Sequence, residues 1–287
     1  MIKGIFSNSS SLIRIIQFIM VVFLMLIISS VIVMVFFAND ISSIENVKMI
    51  QLIQSVGILL LPPLIMAYLW SNNPAAYLHL DVFPDGRKIL LVTVIMIVAI
   101  PFINLLSWLN QQMELPSYLS AIEAKMRASE DQINELTERL LQVKGIGALL
   151  FNVLLVAIIP ALGEEFFFRG AVLRLLSGKN KYVLSIWITA IIFSAIHMQF
   201  YGFLPRMLFG VFFGYLVLWS GSLWLPVIAH FVNNVVSVLF YYLVFNGVSL
   251  PGFDTIGSGD TLWLGIVSGV LTTAGIVWFY QKNVKAI

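Results

Sequence analysis

Of the 287 residues in this chain 60% are apolar and only 10% charged, whereas a soluble domain keeps roughly a quarter of its residues charged. That balance excludes a surface facing water on most sides and leaves lipid as the solvent to consider. A net charge of +2 is too small and too scattered to suggest a nucleic-acid partner, and the absence of cysteine excludes disulfides, cysteine–zinc sites and a thiol nucleophile.

Eight apolar segments follow one another, at about 12–37, 49–70, 88–109, 146–170, 182–199, 203–219, 222–245 and 261–281. Each approaches the roughly 20 residues that a helix needs to cross a bilayer. The first outruns the roughly 7–15 residues of a secretory apolar region, and no small-residue cleavage site follows it, so it is expected to be a permanent span. The sequence therefore predicts an all-α integral membrane bundle of about eight transmembrane helices. Its parts are three N-terminal spans (1–110), a connection (111–145), a four-helix core (146–246) and a C-terminal loop with the last span (247–287).

Placing both termini in the cytoplasm puts Lys3, Arg14, Arg87, Lys88, Arg169, Arg174, Lys179, Lys181, Lys282 and Lys285 inside. Lys48, Lys125, Arg127, Arg139, Lys144 and Arg206 then fall outside, so the excess of basic residues favours N-in and C-in in the cell membrane. In the polar connection Leu119, Ile122, Met126, Ile133, Leu136, Leu140 and Val143 recur at helical spacing, with the charged residues largely elsewhere. That stripe suits either a surface-lying gate or a helix packed on its own bundle. Trp70, Trp108, Trp219, Trp263 and Tyr280 fall near span ends, where interfacial aromatics are expected.

Ionisable groups inside lipid are costly and persist where they pair or act. The fourth segment carries Glu164-Glu165-Phe166-Phe167-Phe168-Arg169. On a helix Glu165 precedes Arg169 by four, the favourable order for an ion pair. Glu164 points about 100° away from Glu165, which leaves it free for chemistry. The fifth segment holds Phe193-Ser194-Ala195-Ile196-His197, and the seventh His230-Phe231-Val232-Asn233-Asn234. His230 and Asn234 share a helix face, with Asn233 close to it. Helical rise sets Glu164, His197 and His230 roughly 18–20, 24 and 12 Å from their connecting turns, so convergence needs tilts or a break at Pro160.

Taken in order, Glu-Glu-x-x-x-Arg, Phe-x-x-x-His and His-x-x-x-Asn resemble the motifs of the CPBP family. That family groups CAAX-processing endoproteases with bacteriocin-processing and self-immunity proteins. The resemblance covers about residues 146–246. It implies an intramembrane endopeptidase acting on a peptide or protein substrate at the bilayer. Glu164 and His197 would activate water, and His230 with Asn234 would stabilise the oxyanion. The same fold acting by binding, as a self-immunity protein, is the alternative.

The residues suit that chemistry, because hydrolysis needs a base for water and donors for the developing negative charge. Glu164, His197 and His230 are also the donor types of a catalytic zinc site. With no His-Glu-x-x-His, a reaction without a metal cofactor is expected, zinc being the alternative. Histidine and asparagine also tie membrane helices together, but a free second glutamate is not needed for that.

Rival chemistries find less support. Gly257-Ser258-Gly259-Asp260 resembles an aspartyl-protease motif, yet all six aspartates lie outside the spans or at a rim, so the stretch reads as a turn. There is no Gly-x-Ser-x-Gly elbow, Ser220-Gly221-Ser222 reads as a turn, and His79 is expected on a loop surface. The polar groups gather in the second half with no counterpart in the first, unlike the paired halves of a transporter.

Overall fold

The computed structural model describes residues 2–178 and 181–283, and every element of regular structure in these residues is helical. Of the residues weighed for topology, Lys179 and Lys285 lie outside that range, as does Asn180 in the turn between the fourth and fifth segments. The helices are α1 (Ser11–Phe37), α2 (Ile44–Trp70), α3 (Gly86–Val98), α4 (Ile100–Gln111) and α5 (Ser120–Leu141). They continue with α6 (Ile146–Ser177), α7 (Tyr182–Ala195), α8 (Phe203–Ser220), α9 (Trp224–Phe245) and α10 (Leu262–Asn283).

Helices α1, α2, α6, α8, α9 and α10 are long and apolar enough to cross a membrane. Ile19, Met20, Phe23, Leu24, Val31, Met34, Val35 and Phe36 of α1 all stand exposed, an apolar face that only lipid covers favourably. The third apolar segment is a bent pair, α3 and α4 meeting at 44°. Pro101 causes the bend, since it lacks an N–H and its ring crowds the preceding turn. Ser268 of α10 bridges the break, accepting from the Phe102 N–H at 3.1 Å and donating to the Val98 carbonyl. This satisfies backbone groups that lipid cannot.

The fifth segment differs from expectation. Helix α7 has 14 residues, too few for a full crossing, and it stops at Ala195 instead of running on to 199. The chain turns there, with Met198 at a φ of 54°, and resumes in a 3₁₀ turn at Phe200–Gly202 before α8. Ser194 Oγ donates to the Phe203 carbonyl at 2.7 Å, tying the two helices across the turn.

Helix α8 packs closely on α7 because Gly210 and Gly214 present no side chain. A Cβ at Gly210 would stand 2.9 Å from Ala190 Cβ and 3.3 Å from the Arg169 guanidinium, and one at Gly214 would stand 2.8 Å from Ile186. This is the small-x-x-x-small device of membrane helices. Gly210→Val is expected to separate α7 from α8 and lower the melting temperature in detergent by several degrees, as overpacking by about 1–3 kcal/mol would. An unchanged melting curve would show that the contact is slack.

The apolar core has two main centres. Phe18, Met66, Trp70, Tyr77, Phe166 and Leu223 form one, and Val92, Met96, Phe213, Leu225 and Phe279 the other. Trp70 belongs to the first core and not to the lipid interface: it is buried, and its indole donates to Gln17 Oε1 at 2.7 Å. His79 is half-buried and not on an open surface, its carbonyl accepting from the Leu223 N–H at 2.9 Å.

Helix α5 packs on the bundle by Leu140 and Leu141 at one end and by polar groups at the other. Glu123, which binds the Leu115 N–H, Arg127 and the Tyr201 hydroxyl, faces inward with Glu130, which takes the Tyr201 N–H at 2.9 Å. Arg127 lies over the Tyr201 ring at 4.2 Å. The apolar stripe is less well covered than its spacing predicts, with Ile122 and Leu136 exposed. The Leu115 N–H and Arg127 together hold the Glu123 carboxyl below its ordinary range.

Candidate active site

Helix α6 runs without a break through Pro160, and two wider π-helical stretches, Val153–Ile158 and Phe166–Val172, relieve it instead. Glu164 and Glu165 are the last residues before the second, a kind of irregularity frequent at functional sites. Glu165 turns into the protein, where its Oε1 accepts from Arg169 Nη1 at 2.9 Å with both side chains almost wholly buried. Arg169 also donates to the Gly210 carbonyl at 3.2 Å and stands over the rings of Phe193 and Phe213. The Gly210 contact with α7 therefore serves this ion pair as well.

Glu165 does more than its helical spacing indicates. The same Oε1 accepts from His230 Nδ1 at 2.9 Å, across from α6 to α9. A carboxylate only accepts, so Nδ1 carries the proton and Nε2 is left toward the cavity. Nε2 stands 3.8 Å from Glu164 Oε2, and the ring stacks on Phe213 at 5.6 Å. Glu164 is the more accessible of the two acids.

His197 lies in the turn after α7 and not on a helix, with Nδ1 2.7 Å from the Phe193 carbonyl. That acceptor fixes the proton on Nδ1 and leaves Nε2 of the neutral ring with its lone pair. On α9, Asn234 Nδ2 donates to the Val156 carbonyl at 3.1 Å, and its Oδ1 accepts from Asn233 at 3.2 Å. Glu164, His197, His230, Asn233 and Asn234 all line one cavity of about 390 Å³, ample for water.

Residues that the motifs did not single out complete the lining: Ser107 on α4, Ser237 on α9, and Arg206 on α8. Arg206 was counted among the loop charges. It sits in the first turns of α8, partly buried, as Arg169 is buried in α6. Each was assigned to an opposite side of the membrane, so their removal leaves the basic excess unchanged. The absence of a nearby acid four residues away in sequence was the available sign that Arg206 serves something else.

The membrane bundle thus brings a glutamate, two histidines and an asparagine to the wall of one cavity. Residues 146–236 match the family model described as Type II CAAX prenyl endopeptidase Rce1-like. The match takes in all three motifs and about a third of the chain. No curated protein and no solved structure matches the chain.

Proposed function

We propose that this protein is an intramembrane endopeptidase in which Glu164 and His197 activate water and His230 with Asn234 receives the oxyanion. The observation that carries this reading is the 3.8 Å approach of Glu164 Oε2 to His230 Nε2 at the wall of the shared cavity. A water seated against Glu164 loses its proton to the carboxylate as its oxygen bonds to the peptide carbonyl carbon. His197 offers Nε2 as a second acceptor. His230, in its imidazolium form, donates through Nε2 to the tetrahedral oxygen, with the second N–H of the Asn234 amide beside it. The proton held by Glu164 then passes to the leaving amine as the C–N bond breaks.

Glu165 and Arg169 are positioning residues, fixing the Nδ1–H of His230 and hence the direction of its Nε2. The substrate is a peptide or protein segment held at the membrane, consistent with the family match and the lipid-facing bundle. Both termini lie on the cytoplasmic side in this proposal, which the basic excess supports.

Zinc is the other reading for Glu164, His197 and His230. The Nδ1 bonds of both histidines resemble those of metal ligands, whose remote nitrogen commonly donates to carboxylate or carbonyl. Among the described residues, however, no three His, Cys, Asp or Glu side chains converge closely enough to hold an ion. Cleavage of a membrane reporter is therefore expected to survive phenanthroline and EDTA and to be lost in His230→Ala. Loss of activity on chelation, restored by zinc, would install the metal. Undiminished cleavage by His230→Ala would remove that residue from the mechanism.

A further inference from the structure

Arg206 is left unexplained by the hydrolytic set. Its guanidinium lines the cavity together with Glu164, His230 and Asn233. Nη2 donates to Gln199 Oε1 at 2.7 Å, while Nη1 is buried without any partner. No carboxylate among the described residues comes within ion-pair distance of it, although Glu164 lines the same space and Glu130 is nearby on the Tyr201 N–H. Arg169, the other arginine of the site, has its acid and a backbone carbonyl. Gly202 makes room for this arrangement: a Cβ there would stand 3.1 Å from Nη2.

A guanidinium on a cavity wall with no carboxylate partner among the described residues is a receptor for an anion, and its planar fork matches a carboxylate on two bonds. Lipid headgroups are a poor occupant, since the cavity also presents the acid Glu164. We infer that Arg206 binds a carboxylate of the substrate close to the scissile bond and so selects which peptides are cut. That carboxylate is either a free chain end or an aspartate or glutamate side chain. The inference rests on the hydrolytic reading of the same cavity and adds a specificity residue to it.

The test uses the full chain in proteoliposomes and lipid-anchored apolar peptides made in matched pairs, free acid against C-terminal amide, and internal glutamate against glutamine. In the native protein kcat/KM is expected to favour the carboxylate member of one pair by at least about tenfold, the value of one charge-assisted contact. In Arg206→Gln that ratio should fall to near one, and Arg206→Lys should keep part of it. The pair whose ratio collapses identifies the source of the carboxylate. A ratio near one in the native protein, a ratio unchanged in Arg206→Gln, or equal losses for both members would each overturn the inference, the last assigning Arg206 to the oxyanion or to packing. Peptide affinities in the non-cleaving Glu164→Gln protein give the same ratio without turnover. If the native protein cleaves neither peptide, the hydrolytic reading fails, and this binding ratio still decides the role of Arg206.

Discussion

Glu164→Gln is expected to lower kcat by about 10²–10⁴-fold, the usual worth of a positioned general base, while the protein stays folded. The structural reason is its setting. Among the described residues Glu164 has no short hydrogen bond or arginine partner and touches the network only through the 3.8 Å approach to His230. An amide of the same size keeps the packing and removes the proton acceptor. The measurement is reporter cleavage in membranes at matched expression, with a thermal unfolding curve as control. Cleavage at the native rate would end the hydrolytic proposal. Full restoration of a cellular phenotype by Glu164→Ala would indicate a member of the fold that acts by binding.

Glu165→Gln is expected to act on stability first. It leaves the Arg169 guanidinium charged and buried without a countercharge, and breaking such a pair costs about 3–5 kcal/mol. Replacing both partners, Glu165→Gln with Arg169→Met, should return part of that loss because no buried charge remains. Activity should not return with it, since the amide oxygen that then accepts from His230 Nδ1 carries no negative charge to favour the imidazolium that donates to the oxyanion. Denaturant unfolding in mixed micelles and the pH profile of kcat separate the two effects. A single variant within 1 kcal/mol of native, or a double variant with the native pH profile, would show that Glu165 neither pairs nor positions as described.

Much of this site is legible in the sequence because it lies within single helices. The spacing of Glu165 and Arg169 predicts their pairing, and the two side chains do pair; the 100° step separates Glu164 from Glu165 less than it suggests, since both carboxylates reach the His230 ring, one toward each nitrogen. The shared face of His230 and Asn234 is legible for the same reason. What escapes are features set between helices. The bond from Glu165 to His230 spans 65 positions, and nothing in helical periodicity fixes the register of two spans. The π-helical stretches of α6 were equally hidden, since i→i+5 bonding depends on neighbours that relieve the strain. The end of α7 at Ala195 was masked by the apolar run through Ile196, and the bend at Pro101 was read as one span. Arg206 was missed because position near a connection stands for solvent exposure only when the helix begins at the membrane surface.

The brevity of α7 has a consequence for how a hydrolytic reagent gets to a site inside hydrocarbon. Fourteen residues measure about 21 Å, roughly 9 Å less than the apolar thickness of a bilayer. Lipids alongside that helix must thin, or water must fill the shortfall. With Tyr182 level with the start of the neighbouring spans, the shortfall falls at the turn that bears His197, and thinned lipid or water there would bring the polar phase toward the cavity from one side.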